Sequence, residues 1–272
     1  MLENLRTHSE EQTNDSRFAK ALAAYADLYV NESFANSHRE HASMVGIPKY
    51  LPSFAGLRLR EEVEYLKQAL HPQHPALFIL GGAKFATKQP LAQKFLSFYD
   101  SVFIGGALAN DFFKAQGYEV GQSLVSENVS SAKKLLSHPQ LMLPTDVIVK
   151  TERGERVIRT PKEVRSAECI LDAGPDTVRA LEARIREARV VLWNGPLGNF
   201  EHGFDAGTLG VAKYLADNKE EKFTIVGGGD TIAVLERLRL GEGSYSFIST
   251  GGGAMLQFLA SETLPALEAL HT

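Results

Sequence analysis

Five short apolar runs in this chain each lead into glycine, and that pattern constrains the fold more than any other feature. The runs are Ala76–Leu80 before Gly81-Gly82, Val102–Ile104 before Gly105-Gly106, Val190–Trp193 before Asn194-Gly195, Phe223–Val226 before Gly227-Gly228-Gly229, and Tyr245–Ser249 before Gly251-Gly252-Gly253. Continuous apolar runs of this length suit strands buried on both faces, as in a parallel sheet. Helical spacing fills the gaps between them, at Gln93–Tyr99, Thr177–Ala188, Ala206–Asp217 and Thr231–Leu238. The alternation predicts an α/β fold, a doubly wound parallel sheet of the Rossmann-like, nucleotide-binding kind. Ligands of such sheets bind beyond the carboxyl ends of the strands, where all five glycine clusters would lie. One cluster alone can be a tight turn that needs positive φ. Five on one edge also suggest backbone approaching a ligand, and helix N-termini there offer amides to an anion.

The segment ahead of the sheet reads differently. Asp15–Tyr25 predicts a helix with Asp15 as N-cap, Leu2–Leu5 and Asp27–Asn31 predict strands, and Gly56–Leu70 predicts a helix stopping at His71-Pro72. Residues 1–55 form a small second unit in this reading, 56–70 a connecting helix, 71–262 the large sheet domain and 263–272 a tail. With a net charge of −4 and interspersed signs, there is no basic surplus of the kind a nucleic-acid binder carries. No apolar run is long enough to span a bilayer, and Met1–Arg6 lacks the character of a signal peptide. Cys169 is the single cysteine, which rules out an internal disulfide and a multi-cysteine zinc cage. The expectation is a cytoplasmic protein that binds small molecules, with neither nucleic acid nor membrane as partner.

Several motifs then coincide in order and spacing. They are Leu2-Glu3-Asn4-Leu5-Arg6, Ser37-His38-Arg39-Glu40-His41-Ala42-Ser43 and Gly81-Gly82-Ala83-Lys84-Phe85-Ala86-Thr87-Lys88. Ile104-Gly105-Gly106, Leu171-Asp172-Ala173-Gly174-Pro175 and Trp193-Asn194-Gly195-Pro196-Leu197-Gly198 follow. Gly227-Gly228-Gly229-Asp230-Thr231 and Ser249-Thr250-Gly251-Gly252-Gly253-Ala254 complete the set. On these residues the sequence resembles phosphoglycerate kinase along essentially its whole length. The resemblance implies a glycolytic kinase that moves the acyl phosphate of 1,3-bisphosphoglycerate to Mg-ADP, giving 3-phosphoglycerate and ATP, with one substrate held by each of two hinged domains.

Phosphoryl transfer needs cations, backbone donors and a metal more than covalent chemistry from the protein. Lys84 and Lys88, four apart after a Gly-Gly turn, would share one helix face. Such a pair on an arbitrary helix is usually only solvated. The resemblance assigns Lys88 to the phosphoryl group in flight and Lys84 to nucleotide phosphate. Asp230 could simply cap a helix. The family gives it the Mg²⁺ of the nucleotide, a cation satisfied by one carboxylate plus phosphates and water. By the same resemblance Gly82, Ala83, Gly106, Asn194, Pro196, Gly228, Gly229 and Thr231 border the nucleotide and Glu201 meets the ribose hydroxyls. Gly251 and Gly252, before an apolar helix at Ala254–Leu259, cradle the migrating phosphoryl group. Arg6 and Arg39 match arginines that bind phosphoglycerate, a task suited to the bidentate guanidinium. Trp193 ends a buried run and reads as core.

The family pattern is not complete. Its N-terminal domain opens with further strands, an Asp-x-Asn pair, a catalytic arginine and a His-x-x-x-Arg loop, none of which this chain matches. The expectation is therefore a truncated second α/β domain, with its missing half supplied by another chain or lost. Turnover by the chain alone is correspondingly in question. A nucleotide-binding protein without turnover and one half of a split enzyme are the competing readings; an NAD-linked dehydrogenase fails for want of a G-x-G-x-x-G turn. Ala107, Ile170 and Asn199 depart from the usual family residues and are expected on the adenine side of the cleft.

Overall fold

The computed structural model describes residues 1–83, 85–241 and 243–270, so Lys84 lies outside the described residues. The chain divides into two units, Met1–Leu70 with Ser249–Thr272, and His71–Ile248. In chain order the first unit carries helices α1 (Ser9–Gln12) and α2 (Ser16–Ala23), strands β1 (Tyr29–Asn31) and β2 (Ser53–Ala55), and helix α3 (Leu57–Leu70). The Asp15 carboxylate caps α2, accepting from the Arg17 and Phe18 amides. β1 and β2 pair in parallel.

No strand forms at Leu2–Leu5; Leu5–Thr7 is a single 3-10 turn. Asn4 explains the difference. Its side chain accepts from the Arg6 amide and its carbonyl from the Thr7 amide, a local turn that competes with extended pairing.

The second unit holds β3 (Ala76–Leu80), α4 (Phe85–Phe95), β4 (Ser101–Ile104), α5 (Leu108–Ala115), α6 (Ser130–Leu135) and β5 (Leu141–Met142). It continues with β6 (Val147–Lys150), β7 (Arg156–Arg159), β8 (Cys169–Ala173), α7 (Pro175–Glu187), β9 (Val190–Asn194), α8 (Ala206–Asp217), β10 (Phe223–Gly227), α9 (Gly229–Arg237) and β11 (Phe247–Ser249), whose last residue already belongs to the first unit. The main sheet has six strands in the order β11-β10-β9-β3-β4-β5, and the pairs from β10 to β5 are parallel. Four of the glycine-ended runs finish in one row, because Gly227 pairs with Asn194, Asn194 with Leu80, and Leu80 with Ile104.

Burial on both faces accounts for the unbroken apolar runs. Leu77 and Ile79 of β3 join Val191, Trp193 and Val226 in a core with Leu181 and Ile185 of α7 and Val211 and Leu215 of α8. Phe78, between them in sequence, packs instead on Phe95, with ring centroids 4.7 Å apart, and on Tyr99. The sequence did not foreshadow a second sheet, the antiparallel β7-β6-β8.

The chain then returns to the first unit with α10 (Gly253–Ser261) and α11 (Pro265–Ala269). The sequence reading grouped residues 249–262 with the large sheet, since their glycine triplet looks like the others. Packing places them with the N-terminal residues. Phe258 of α10 meets Phe34 edge-on at 6.0 Å, and Ala266 of α11 clusters with Met44 and Val45.

Leu28, Val30, Phe54 and Leu57, on or beside the β1–β2 pair, are exposed. Such apolar surface around a short, open-edged sheet invites association. Val30→Lys with Phe54→Lys is expected to lower both light scattering and binding of an apolar dye while leaving Tm unchanged; unaltered dye binding would locate the exposed apolar surface elsewhere.

Candidate nucleotide site

The strand ends of the second unit are laced together by backbone bonds. The Gly81 amide donates to the Asn194 carbonyl at 2.8 Å, Gly82 to Pro196 at 2.7 Å, Gly105 to Leu80 at 2.9 Å and Leu108 to Gly82 at 3.2 Å. The Gly195 amide donates to the Thr231 hydroxyl at 2.9 Å, joining the β9 and β10 turns. Gly106 shows why these turns are glycine. Its φ is +60°, and a Cβ there would lie 2.7 Å from the Gly82 nitrogen and 2.8 Å from the Pro196 oxygen.

Above this rim opens a cavity of about 420 Å³. Of the predicted residues, Gly82, Ala83, Gly106, Pro196, Glu201 and Asp230 line it. Ala107, Ile170 and Asn199, the three departures from the family pattern, also form part of its wall. The remainder is largely apolar, with Phe113, Leu124 and Val147 among the lining. A slot with an apolar body and a polar glycine rim matches a ligand that joins a flat ring to an anion.

Lys88 stands behind this rim: a Cβ on Gly82, which lines the cavity, would lie 3.1 Å from its Nζ. Its ammonium donates to the Gly81 carbonyl at 2.7 Å. Burial pulls its pKa down from the usual lysine range to about 8, and the Asp230 carboxylate pulls it back up. Lys88 and Asp230 therefore feel each other's charge. Asp230 is exposed at the first turn of α9 and is not the cap, since Gly228 occupies that position without any side-chain cap bond. Its carboxylate has no hydrogen-bond or ion-pair partner among the described residues. Among the described residues no cluster of three His, Cys, Asp or Glu could hold a metal by itself. A magnesium ion arriving with a nucleotide needs no such cluster, and the lone carboxylate fits it.

The other expected residues have definite places. Asn194 is buried at the end of β9, and its side chain lies against Gly228. Thr231 is fully buried, with its hydroxyl engaged by the Gly195 amide. Gly229 opens α9 with free space over its Cα. Trp193 has no exposed surface, and its indole N–H donates to the Gly195 carbonyl at 2.8 Å, as befits a core residue that also fixes the turn.

Gly251, Gly252, Arg6 and Arg39 belong to the first unit. There the Gly251-Gly252 turn precedes α10, with φ +52° at Gly252, and Gly251 packs so closely on the Phe34 ring that a Cβ would lie 2.5 Å from it. A residue that sequence reasoning missed holds this turn. Glu62 of α3 is fully buried and accepts from the Ser249 hydroxyl at 2.7 Å, the Thr250 amide at 2.9 Å and the Thr250 hydroxyl at 3.1 Å. Burial raises its pKa against those bonds. The signal was present: Glu62 stands on the buried stripe of α3 between Leu59 and Leu66, where a carboxylate needs a partner. Arg6 is exposed and Arg39 half-buried, and among the described residues neither pairs with an acid.

The depressed pKa of Lys88 has a definite sign. From about 8 to the ordinary lysine value the unfolded chain holds a proton that the folded chain has released, so stability rises with pH through that window. Lys88→Met is expected to stabilise the ligand-free protein near neutral pH, with the gain shrinking as pH climbs. Urea unfolding midpoints that keep a constant difference across that range would contradict this.

The family model described as phosphoglycerate kinase matches residues 1–262. Phosphoglycerate kinase from Maricaulis maris is 42% identical over 283 residues, covering 99% of this chain and 70% of that protein. The Moorella thermoacetica protein of the same name is 43% identical, covering 99% of this chain and 71% of that protein. Among solved structures, phosphoglycerate kinase from Coxiella burnetii superposes with a TM-score of 0.88 at 36% identity, covering 98% of this chain and 71% of that one. The Pyrococcus horikoshii enzyme gives a TM-score of 0.86 at 33% identity, covering 99% of this chain and 72% of that one. With the family model spanning nearly its whole length and such relatives on both comparisons, this chain belongs to the phosphoglycerate kinase family.

Proposed function

We propose that the chain transfers a phosphoryl group between the carboxyl group of a phosphoglycerate and Mg-ADP, with the nucleotide bound in the second unit. The observation that carries this reading is what gathers at one cavity wall: the glycine turns with Gly82 and Gly106, the Lys88 ammonium packed beside Gly82, and an Asp230 carboxylate that has no hydrogen-bond or ion-pair partner among the described residues. An anion beside Lys88 would relieve the cost of its buried charge. Asp230 would take the magnesium that accompanies the phosphates, and the metal would neutralise charge on the phosphoryl oxygens. Lys88 would stabilise the same oxygens in transfer, through an ammonium already stripped of much of its water. Glu201, in the cavity wall, would accept from the ribose hydroxyls.

For the first unit the support is the motif match together with Arg6 and Arg39, which pair with no acid among the described residues and suit an anionic acid. The roles of Gly251 and Gly252 toward the migrating group rest on the motif, and Glu62 would keep that turn in shape. A nucleotide-binding protein without turnover is the alternative, and no geometric feature of the second unit favours it.

Calorimetry with Mg-ADP is expected to give saturable binding. Lys88→Met and Asp230→Asn should each weaken it about tenfold or more, the size expected for losing a charge-assisted contact. No heat at millimolar ligand would refute the nucleotide assignment. A coupled assay with 3-phosphoglycerate and ATP then separates the readings. Turnover by the purified chain excludes the non-catalytic alternative, whereas binding without turnover excludes catalysis by this chain alone.

A further inference from the structure

Asp172, in β8, carries a buried carboxylate for which the proposed chemistry has no use. It is 3% exposed and lines the nucleotide cavity. One oxygen accepts from the Ala173 amide at 2.9 Å, and the other from the Gly207 amide at 3.1 Å. Gly207 lies in the first turn of α8, whose own N-cap residue, Asp205, makes no side-chain cap bond. Asp172 thus caps α8 from a strand of the other sheet, with its charge at the positive end of the helix.

The same carboxylate presses on the loop ahead of α8. A Cβ on Gly198 would lie 2.3 Å from Asp172 Oδ1, which explains the glycine that ends the Trp193–Gly198 motif. The next residue is tied down as well, the Asn199 amide donating to the Leu171 carbonyl at 2.8 Å. Farther along, the Phe204 amide donates to the Asn199 carbonyl at 3.1 Å, closing the loop on itself. Glu201 stands between these two anchors.

We infer that Asp172 is a positioning residue for the nucleotide, acting through the loop from Gly198 to Asp205 so that Glu201 faces the cavity. The inference rests on the nucleotide reading above and deepens it. Cost argues the same way. Burial pushes the Asp172 carboxyl up to about 6, with Asp205 adding to the effect and the backbone donors opposing it. A carboxylate that is expensive to keep charged, set in a cavity wall and used to hold a loop, is the kind of group found at working sites.

A double-mutant cycle read by calorimetry with Mg-ADP tests this on the full chain. Asp172→Asn sets an NH2 donor against one of the two amides that now donate to the carboxylate, Ala173 or Gly207, and should weaken binding about tenfold, a coupling of ordinary size for neighbours. In a Glu201→Ala background the same substitution should cost less than about twofold, because the carboxylate that the loop positions for the ligand is gone. Thermal unfolding of each variant checks that it folds. If Asp172→Asn does not fold, Gly207→Ala, whose Cβ would lie 2.8 Å from Asp172 Oδ1, enters the same cycle. Equal losses in both backgrounds, or no loss in either, overturn the positioning role while leaving nucleotide binding intact. Failure of the unsubstituted chain to bind Mg-ADP overturns the nucleotide reading, and this inference with it.

Discussion

The structure of the second unit depends on the backbone bonds that lace the ends of its parallel strands. A parallel sheet ends in carbonyls and amides that the next turn must satisfy or expose. Here Gly81, Gly82, Gly105 and Gly195 donate across to neighbouring turns or to Thr231, so the turns satisfy one another. Only residues without a Cβ can approach that closely, and the Gly106 contacts show how little space remains. The same constraint that closes the sheet thus shapes the polar side of the cavity, where Gly82 and Gly106 form part of the wall.

Lys88 adds a charge behind that wall at some cost. Its ammonium is withdrawn from water and satisfied only partly, by the Gly81 carbonyl and the field of Asp230. A stability-driven sequence would place an apolar side chain there. Keeping a lysine makes sense when an anion completes its surroundings, since the buried positive charge then acts at low effective dielectric. Glu62 works on the same principle in the first unit. It is a buried carboxylate that three donors from Ser249 and Thr250 hold in place, and through them it shapes a glycine turn.

The parts of the fold legible in the sequence were those in which one residue type had one physical reason to be there. Strands β3, β4, β9 and β10 were readable because double-faced burial demands unbroken apolar runs, and α8 because its spacing stands between clear turns. The antiparallel β7-β6-β8 sheet was not, since Val147–Lys150 and Arg156–Arg159 are short and half-polar. The helix face expected after the Gly81-Gly82 turn and the spacing at Gln93–Tyr99 read as separate pieces rather than the one helix, Phe85–Phe95, because Pro90 lies inside it and breaks the pattern. The glycine triplet at 251–253 resembled the others locally, and only the distant partners Phe34 and Glu62 put it in the first unit. At the site, the motif-borne residues around the cavity were legible. Asp172 was quoted within its motif without a role, since what it holds, Gly198 and Gly207, lies well downstream.

The loop bearing Glu201 brings these points together. A surface loop of this length would ordinarily be mobile, with an entropy cost for each binding event. Here it is held on both sides. Toward the core, Asp172 and the Leu171 carbonyl fix Gly198 and Asn199. Toward solvent, the Arg156 guanidinium stacks over the Phe204 ring at 4.2 Å, and Arg237 lies over Phe200 at 5.2 Å while donating to its carbonyl. Cation–π contacts of this kind contribute little individually at exposed sites. Their value here lies in placement, because Phe200 and Phe204 bracket Glu201. Ordering the loop before the ligand arrives moves its entropy cost from binding to folding, where burial in the sheet core can offset it.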